Sequence, residues 1–203
     1  MNCMARILKF SEELETWLKS EGRKTIRDLE QVFAEKSFAI AIFLLMALPA
    51  LPIPTGGVSH VFEVIAIIIA FQMIIGLKAI WIPKRWANLE IGSAFKQKAL
   101  VPLTRFIRFF ERFSRPRWTA VTNHHLSLRL IGVIIIVFTA AAFFSPPFSG
   151  LDTLPALGVV LICLSIILED ILMTIIGIVV GCLGIALILT VGAAAFKLLN
   201  SFL

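Results

Sequence analysis

Two adjacent carboxylates, Glu169 and Asp170, stand between apolar runs that extend from Leu154 to Leu168 and from Ile171 to Leu199. At mid-bilayer each would cost roughly 2.5–3.5 kcal/mol to insert, so a partner, a proton or a wet cavity has to compensate. Glu63, Gln72 and Arg129 are further polar side chains set into long apolar stretches. Glu169, Asp170 and Glu63 are therefore candidate proton or cation sites. Gln72 and Arg129 are candidate polar partners, and Arg129 suits a phosphate as well as an acid. Glu169 and Asp170 have a second reading of equal standing. They cap a helix N-terminus at a membrane surface, where negative charge meets the positive end of the helix dipole. His60 precedes Glu63 by one helical turn, a spacing that lets the two pair.

The elements that must hold these residues are apolar runs broken in an ordered way. Phe38 to Leu48 is apolar but only eleven residues long, against about 20 for a full crossing. Pro49, Pro52, Pro54, Gly56 and Gly57 follow it. Prolines lack the N–H donor and glycines loosen the backbone, so this stretch cannot continue a helix. Lipid cannot satisfy the freed backbone groups. The break has to be covered by protein, line a polar cavity or sit at the membrane surface. A longer apolar run, 58–80, comes next. The arrangement then recurs: an apolar run at 128–144, a break at Pro146, Pro147 and Gly150, and a short run from Leu154. Pro54 corresponds to Pro147, and Gln72 falls close to Glu169. Interrupted repeats of this kind point to a transporter-like site near the bilayer midplane. The expected fold is an all-α integral membrane protein with two pseudo-repeats of broken hydrophobic helices, 38–81 and 128–203, whose short segments are re-entrant or spanning. Amphipathic interfacial helices are expected in 1–37 and 82–127.

Composition agrees with a membrane setting. Hydrophobic residues make up 59% of the 203, above the roughly 45–50% of soluble domains, and the mean hydropathy is +0.94. The net charge of +6 is unevenly placed. Residues 1–37 balance seven Lys or Arg against seven Asp or Glu, whereas 82–127 set nine basic residues against Glu90 and Glu111. Basic linkers stay cytoplasmic. No aromatic-rich soluble module accompanies them, so the charge reads as topology and headgroup contact rather than nucleic-acid binding. Cys3, Cys163 and Cys182 lack metal-ligand spacing and read as small hydrophobes. His124 and His125 are adjacent and point to different faces, so neither a metal site nor a cofactor is expected. The first apolar run follows a long charged segment, which argues against a cleavable signal peptide.

Helical spacing adds packing expectations. Gln72 shares a face with Gly76, which predicts a close helix contact carrying a hydrogen bond. Asp170, Thr174, Gly177, Gly181 and Gly184 recur at spacings of 4, 3, 4 and 3, one face on which Gly177 and Gly181 form a small-xxx-small contact. In 99–113, Leu103, Phe106, Ile107, Phe110 and Phe113 lie opposite Arg105, Arg108 and Arg112, an interfacial pattern. Residues 7–35 read as two short amphipathic helices separated by Gly22.

The ordered set Thr25-Ile26-Arg27-Asp28-Leu29, Leu48-Pro49 through Pro54 and Gly56, Gln72 with Gly76, Trp81-Ile82-Pro83, Glu111 with Arg115-Pro116-Arg117, Pro146, Pro155-Ala156, Asp170 and Gly177 resembles the bacterial exopolysaccharide synthesis ExoD family. The resemblance covers about residues 20 to 185. It implies a multi-pass protein of the bacterial inner membrane, linked to exopolysaccharide production and to tolerance of alkaline conditions, and it leaves the biochemical activity open. The family pattern has Gly after the Asp where this chain has Ile171, which argues against a sharp turn at Asp170.

Two functions fit. One is a proton-linked transporter or flippase of an anionic lipid carrier or other envelope precursor. The other is a non-catalytic scaffold or regulator of a polysaccharide synthase. The expected partners are the lipid bilayer, an anionic lipid or lipid-linked precursor, and either a second copy or a synthase. An enzyme is the weakest reading. Ser93 and Lys96 have Ser-x-x-Lys spacing in a polar linker without supporting context, and no phosphate loop, nucleophile elbow or zinc motif is present.

Overall fold

The computed structural model describes Thr16 and residues 36–51, 58–77, 80–81, 107–109, 125–146 and 149–202. The expected helices of 1–37, most of the 82–127 linker, and Pro52, Pro54, Gly56, Gly57 and Pro147 lie outside the described residues. Among the described residues all regular structure is helical. Five helices have described boundaries: α1 (Ser37–Met46), α2 (Val58–Ile75), α3 (His125–Phe143), α4 (Thr153–Leu168) and α5 (Ile171–Phe202).

Helix α1 packs on α2, α2 on α3, α3 on α4, and α4 back on α1, so the four close a ring. Helix α5 lies along the outside of α4. Thirteen of the sixteen residues of α4 are buried, which makes this short helix the centre of the molecule. Its uniformly apolar sequence, without a polar stripe, suits that position.

Two antiparallel pairings set the register. Along α4 and α5, Pro155 meets Gly184, Gly158 meets Gly181 and Ile162 meets Gly177, while Thr174 Oγ1 donates to Ser165 Oγ at 2.7 Å. Along α2 and α3, Gly132 sits against Ala70, Met73 and Ile74, and His60 meets the ring of Phe143. From the Gly76–Arg129 contact to the His60–Phe143 contact, α3 rises about 21 Å at roughly 1.5 Å per residue. Helix α5 carries a 24-residue apolar window, Ile171–Ala194, so it continues well past Gly184 and the end of the ring.

The outward faces are apolar. Val61, Val64, Ile68, Phe71 and Ile75 form an exposed stripe on α2; Leu126, Leu130, Val133 and Val137 form one on α3. Continuous stripes of that size are matched by lipid better than by water. Helices α3 and α5 are long and apolar enough to cross a membrane; α1, α2 and α4 are shorter.

The breaks differ in part from expectation. Ala47 N–H donates to Phe43 O and Ala50 N–H to Met46 O, so helical bonding carries past Pro49. Proline removes the donor that would have reached Leu45, but its neighbours keep theirs. Pro49 is buried, and Pro146 and Gly150 are exposed. In the second break Ser149 Oγ donates to Pro146 O at 2.6 Å and accepts from Leu151 N–H at 3.2 Å. Ile107, expected on an interfacial helix face, is instead fully buried in the core. Of the cysteines, Cys163 is buried and Cys182 exposed.

Gly158 and Gly192 separate packing from propensity. A Cβ on Gly158 would lie 2.8 Å from Gly181 Cα and 2.9 Å from Gly177 O, whereas one on Gly192 meets nothing within 4 Å. Gly158→Ala is therefore expected to lower stability by about 1–3 kcal/mol in detergent thermal melts. Gly192→Ala, in the same assay, is expected to be neutral or to stabilise by up to about 1 kcal/mol.

Candidate functional site

Polar groups collect at the two ends of the ring. At the end where α1, α3 and α5 begin, α4 stops at Leu168 and Glu169 takes a left-handed conformation, φ 55°. Asp170 N–H reaches back to Ser165 O at 3.1 Å, the long bond of a Schellman cap. The sharp turn thus falls at Glu169, one residue before the Asp170–Ile171 step. Glycine is the usual occupant; a side chain there costs roughly 1–2 kcal/mol. Glu169 is held by Lys36, whose Nζ lies 2.9 Å from Glu169 Oε1 and donates to Ile167 O at 3.2 Å. Asp170 is almost completely buried, and its Oδ1 accepts from Leu172 N–H at 3.0 Å. That is an N-cap for α5, where the carboxylate also meets the positive end of the dipole.

Gln72 lies at the same end. Trp81 N–H donates to Gln72 Oε1 at 2.6 Å, and Gln72 Nε2 donates to Trp81 O at 3.5 Å. The expected contact between helices is therefore a clasp within one chain segment. The reason is that α2 ends at Ile75 and Gly76, at φ +84°, forms its cap. Leu77 N–H bonds Gln72 O at 3.2 Å and Gly76 N–H bonds Met73 O at 3.1 Å, which turns the chain back toward Gln72. The Arg129 guanidinium rests against the bare Cα of Gly76, and Arg129 is exposed.

The opposite end holds Glu63. His60 Nδ1 and Glu63 Oε2 are 2.8 Å apart. The Glu63 side chain is fully buried, whereas His60 is 28% exposed with its ring edge-on to Phe143. Glu63 Oε1 has no hydrogen-bond partner among the described residues. Asp152, just ahead of α4 with no side-chain cap bond, is close enough to act on Glu63 electrostatically. A buried carboxyl oxygen left unmatched costs free energy unless a proton or a small polar ligand satisfies it.

The five sequence candidates are therefore not gathered in one place. Glu169, Asp170, Gln72 and Arg129 occupy one end and Glu63 the other. Among the described residues no three His, Cys, Asp or Glu approach closely enough to share a metal ion. Gly177, Gly181 and Gly184 form the packing face expected of them, buried against α4. Sequence reasoning missed Lys36, 133 positions from Glu169, and Thr139, a buried hydroxyl whose Oγ1 has no partner among the described residues. Neither carried a local signal, because each matters through a helix distant in sequence.

A family model described as exopolysaccharide synthesis, ExoD, matches residues 10–190. The Synechocystis protein slr1875, itself uncharacterised, is 31% identical over 159 residues, covering 77% of this chain and 73% of that protein. Protein ExoD of Rhizobium meliloti is 30% identical over 154 residues, covering 73% of this chain and 62% of that protein. The match thus spans less than two thirds of the Rhizobium relative's length. No solved structure matches.

The strain at Glu169 and its ion pair oppose each other. Glu169→Gly removes a left-handed side chain, a gain of about 1 kcal/mol, and loses a half-exposed pair of at most about 1 kcal/mol. Its melting temperature is expected to stay near that of the parent, whereas Glu169→Val, with a branched Cβ at positive φ, is expected to melt markedly lower.

Proposed function

The chain belongs to the exopolysaccharide synthesis ExoD family, and from that membership we propose that it is a multi-pass inner-membrane transporter or flippase that moves an anionic lipid carrier or another envelope precursor, linked to proton movement through Glu63. The observation that carries this reading is the buried Glu63 carboxyl, with His60 on one oxygen and no partner on the other among the described residues, at the end of the ring where α1 and α3 stop and α2 and α4 start. The acids at the other end cap helices or pair with Lys36, and so have structural work already.

The architecture supports the reading in three ways. The ring spans about 21 Å, less than the roughly 30 Å of a hydrocarbon core. With the end that carries Lys36 and Arg129 at the cytoplasmic surface, Glu63 and the first turns of α2 and α4 fall inside the apolar layer, as re-entrant segments would. Internal symmetry is the second support. The two left-handed caps, Gly76 and Glu169, are 93 positions apart, the same separation as Pro54 from Pro147 and Gly57 from Gly150. The ring contacts also keep their pattern when α1–α2 is exchanged with α3–α4. Broken repeats around a central polar site are a transporter arrangement. Third, the exposed Arg129 beside Gly76 offers a cation to a phosphate group at the end of the ring where α3 begins.

Reconstituted in sealed vesicles holding a fluorescent polyprenyl phosphate, the chain is expected to move it across the bilayer at a rate that depends on a pH gradient. Glu63→Gln, folded as judged by its melt, is expected to lose the gradient dependence, and Asp170→Asn to keep it at reduced stability. Gradient-dependent movement undiminished in Glu63→Gln would remove the reading. Co-purification with a polysaccharide synthase, with no movement of lipid, would favour the scaffold.

A further inference from the structure

Thr139 sits in the middle of α3, fully buried, and its Oγ1 has no hydrogen-bond partner among the described residues. A hydroxyl inside a helix ordinarily turns back onto its own backbone. Ser165 Oγ does so to Ile162 O at 2.7 Å, and Thr190 Oγ1 to Leu187 O at 2.9 Å. Thr139 does not, so both its donor and its acceptors are free for something else.

The α2–α3 register says what it faces. His60 meets Phe143. One turn inward from each, in antiparallel packing, brings Glu63 opposite the Thr139 level. Gly132 gives the same answer independently: it faces Ala70, Met73 and Ile74. Residue 139 is two turns further along that face of α3, and the positions two turns back on α2 are 63, 66 and 67. Two fully buried side chains with unpartnered oxygens, Glu63 Oε1 and Thr139 Oγ1, thus occupy the same level of facing helices, and no direct bond joins them.

We propose that Thr139 is the second side chain of the Glu63 site, and that one water molecule held between Thr139 Oγ1 and Glu63 Oε1 satisfies that oxygen while the proton passes between the partly exposed His60 and Oε2. Buried waters occupy places of this kind, where two or more polar atoms lack other partners. The water accepts from the Thr139 hydroxyl and donates to Oε1 in both states of the carboxyl; protonation moves a proton from His60 Nδ1 to Oε2, leaving the imidazole neutral, and deprotonation returns it. The charged groups around it are few. His60 binds the other oxygen, and Asp152 acts on the site from the start of α4. Helix α1 carries no titratable residue, and His125 and Arg129 stand at the far end of α3. This inference rests on the reading of Glu63 as the proton carrier. It goes further in naming Thr139 and a bound water as the rest of the site.

Infrared difference spectra of the full chain in lipid nanodiscs, recorded on a pH step, test it without any transport measurement. The carboxyl band that disappears in Glu63→Gln is assigned to Glu63. In Thr139→Val, and in Thr139→Ala as a second variant without the hydroxyl, that band is expected to move to higher wavenumber as its hydrogen bond is lost. In Thr139→Ser it is expected to stay in place. A band at the parent position in both hydroxyl-free variants overturns the proposal. So does loss of the band on adding Na+ at constant pH, which would make the occupant a metal cation. A shifted band with no lipid movement in vesicles would leave this site standing and remove only the transport function.

Discussion

Close backbone contact between α4 and α5 is the constraint from which the rest of the structure follows. Gly158 lies against Gly181 and Gly177, and Gly184 lies against Pro155, so the two backbones approach closely. Within lipid, association of helices depends on this kind of packing, because hydrocarbon competes equally for apolar side chains. With α5 pressed on one side, α4 is enclosed by α1 and α3 on the others. An enclosed helix of sixteen residues leaves its two ends, and the polar groups around them, inside the molecule.

Those two ends are resolved in different ways. At the end where α5 begins both described carboxylates have a defined bond: Glu169 with Lys36, Asp170 with the first turn of α5. At the other end a carboxyl is equally well buried and only half matched. Structural acids end up matched because leaving them otherwise costs stability. An acid that has stayed half matched in so apolar a bundle is where a proton has most to gain by binding. That contrast, more than the number of acids, separates the two ends.

Much of this was legible in the sequence, and the exceptions share a cause. The short apolar runs, the glycine face of α5 and the His60–Glu63 turn pair are local patterns with fixed spacing, and they reappear in the fold. Asp170 was legible as a cap for the same reason. The role of Glu169 was not, because it depends on a left-handed backbone whose support comes from Lys36 at the start of α1. Gln72 was read as a bridge between helices on the assumption that α2 continued through Gly76. The helix stops first, and the turn supplies Trp81. Thr139 is one small residue in an apolar run with no local signal; only the α2–α3 register sets it opposite Glu63.

The central claim is that Glu63, and neither Glu169 nor Asp170, is the carboxyl that takes up a proton within the apolar layer. Hydrophobic carbodiimides partition into bilayers and modify protonated carboxyls there, so mass-spectrometric mapping of the modified chain in native membranes tests it directly. The account predicts modification at Glu63 that falls as pH rises, with Glu169 and Asp170 unmodified. Modification at the Glu169–Asp170 pair, with Glu63 untouched at every pH, would contradict it.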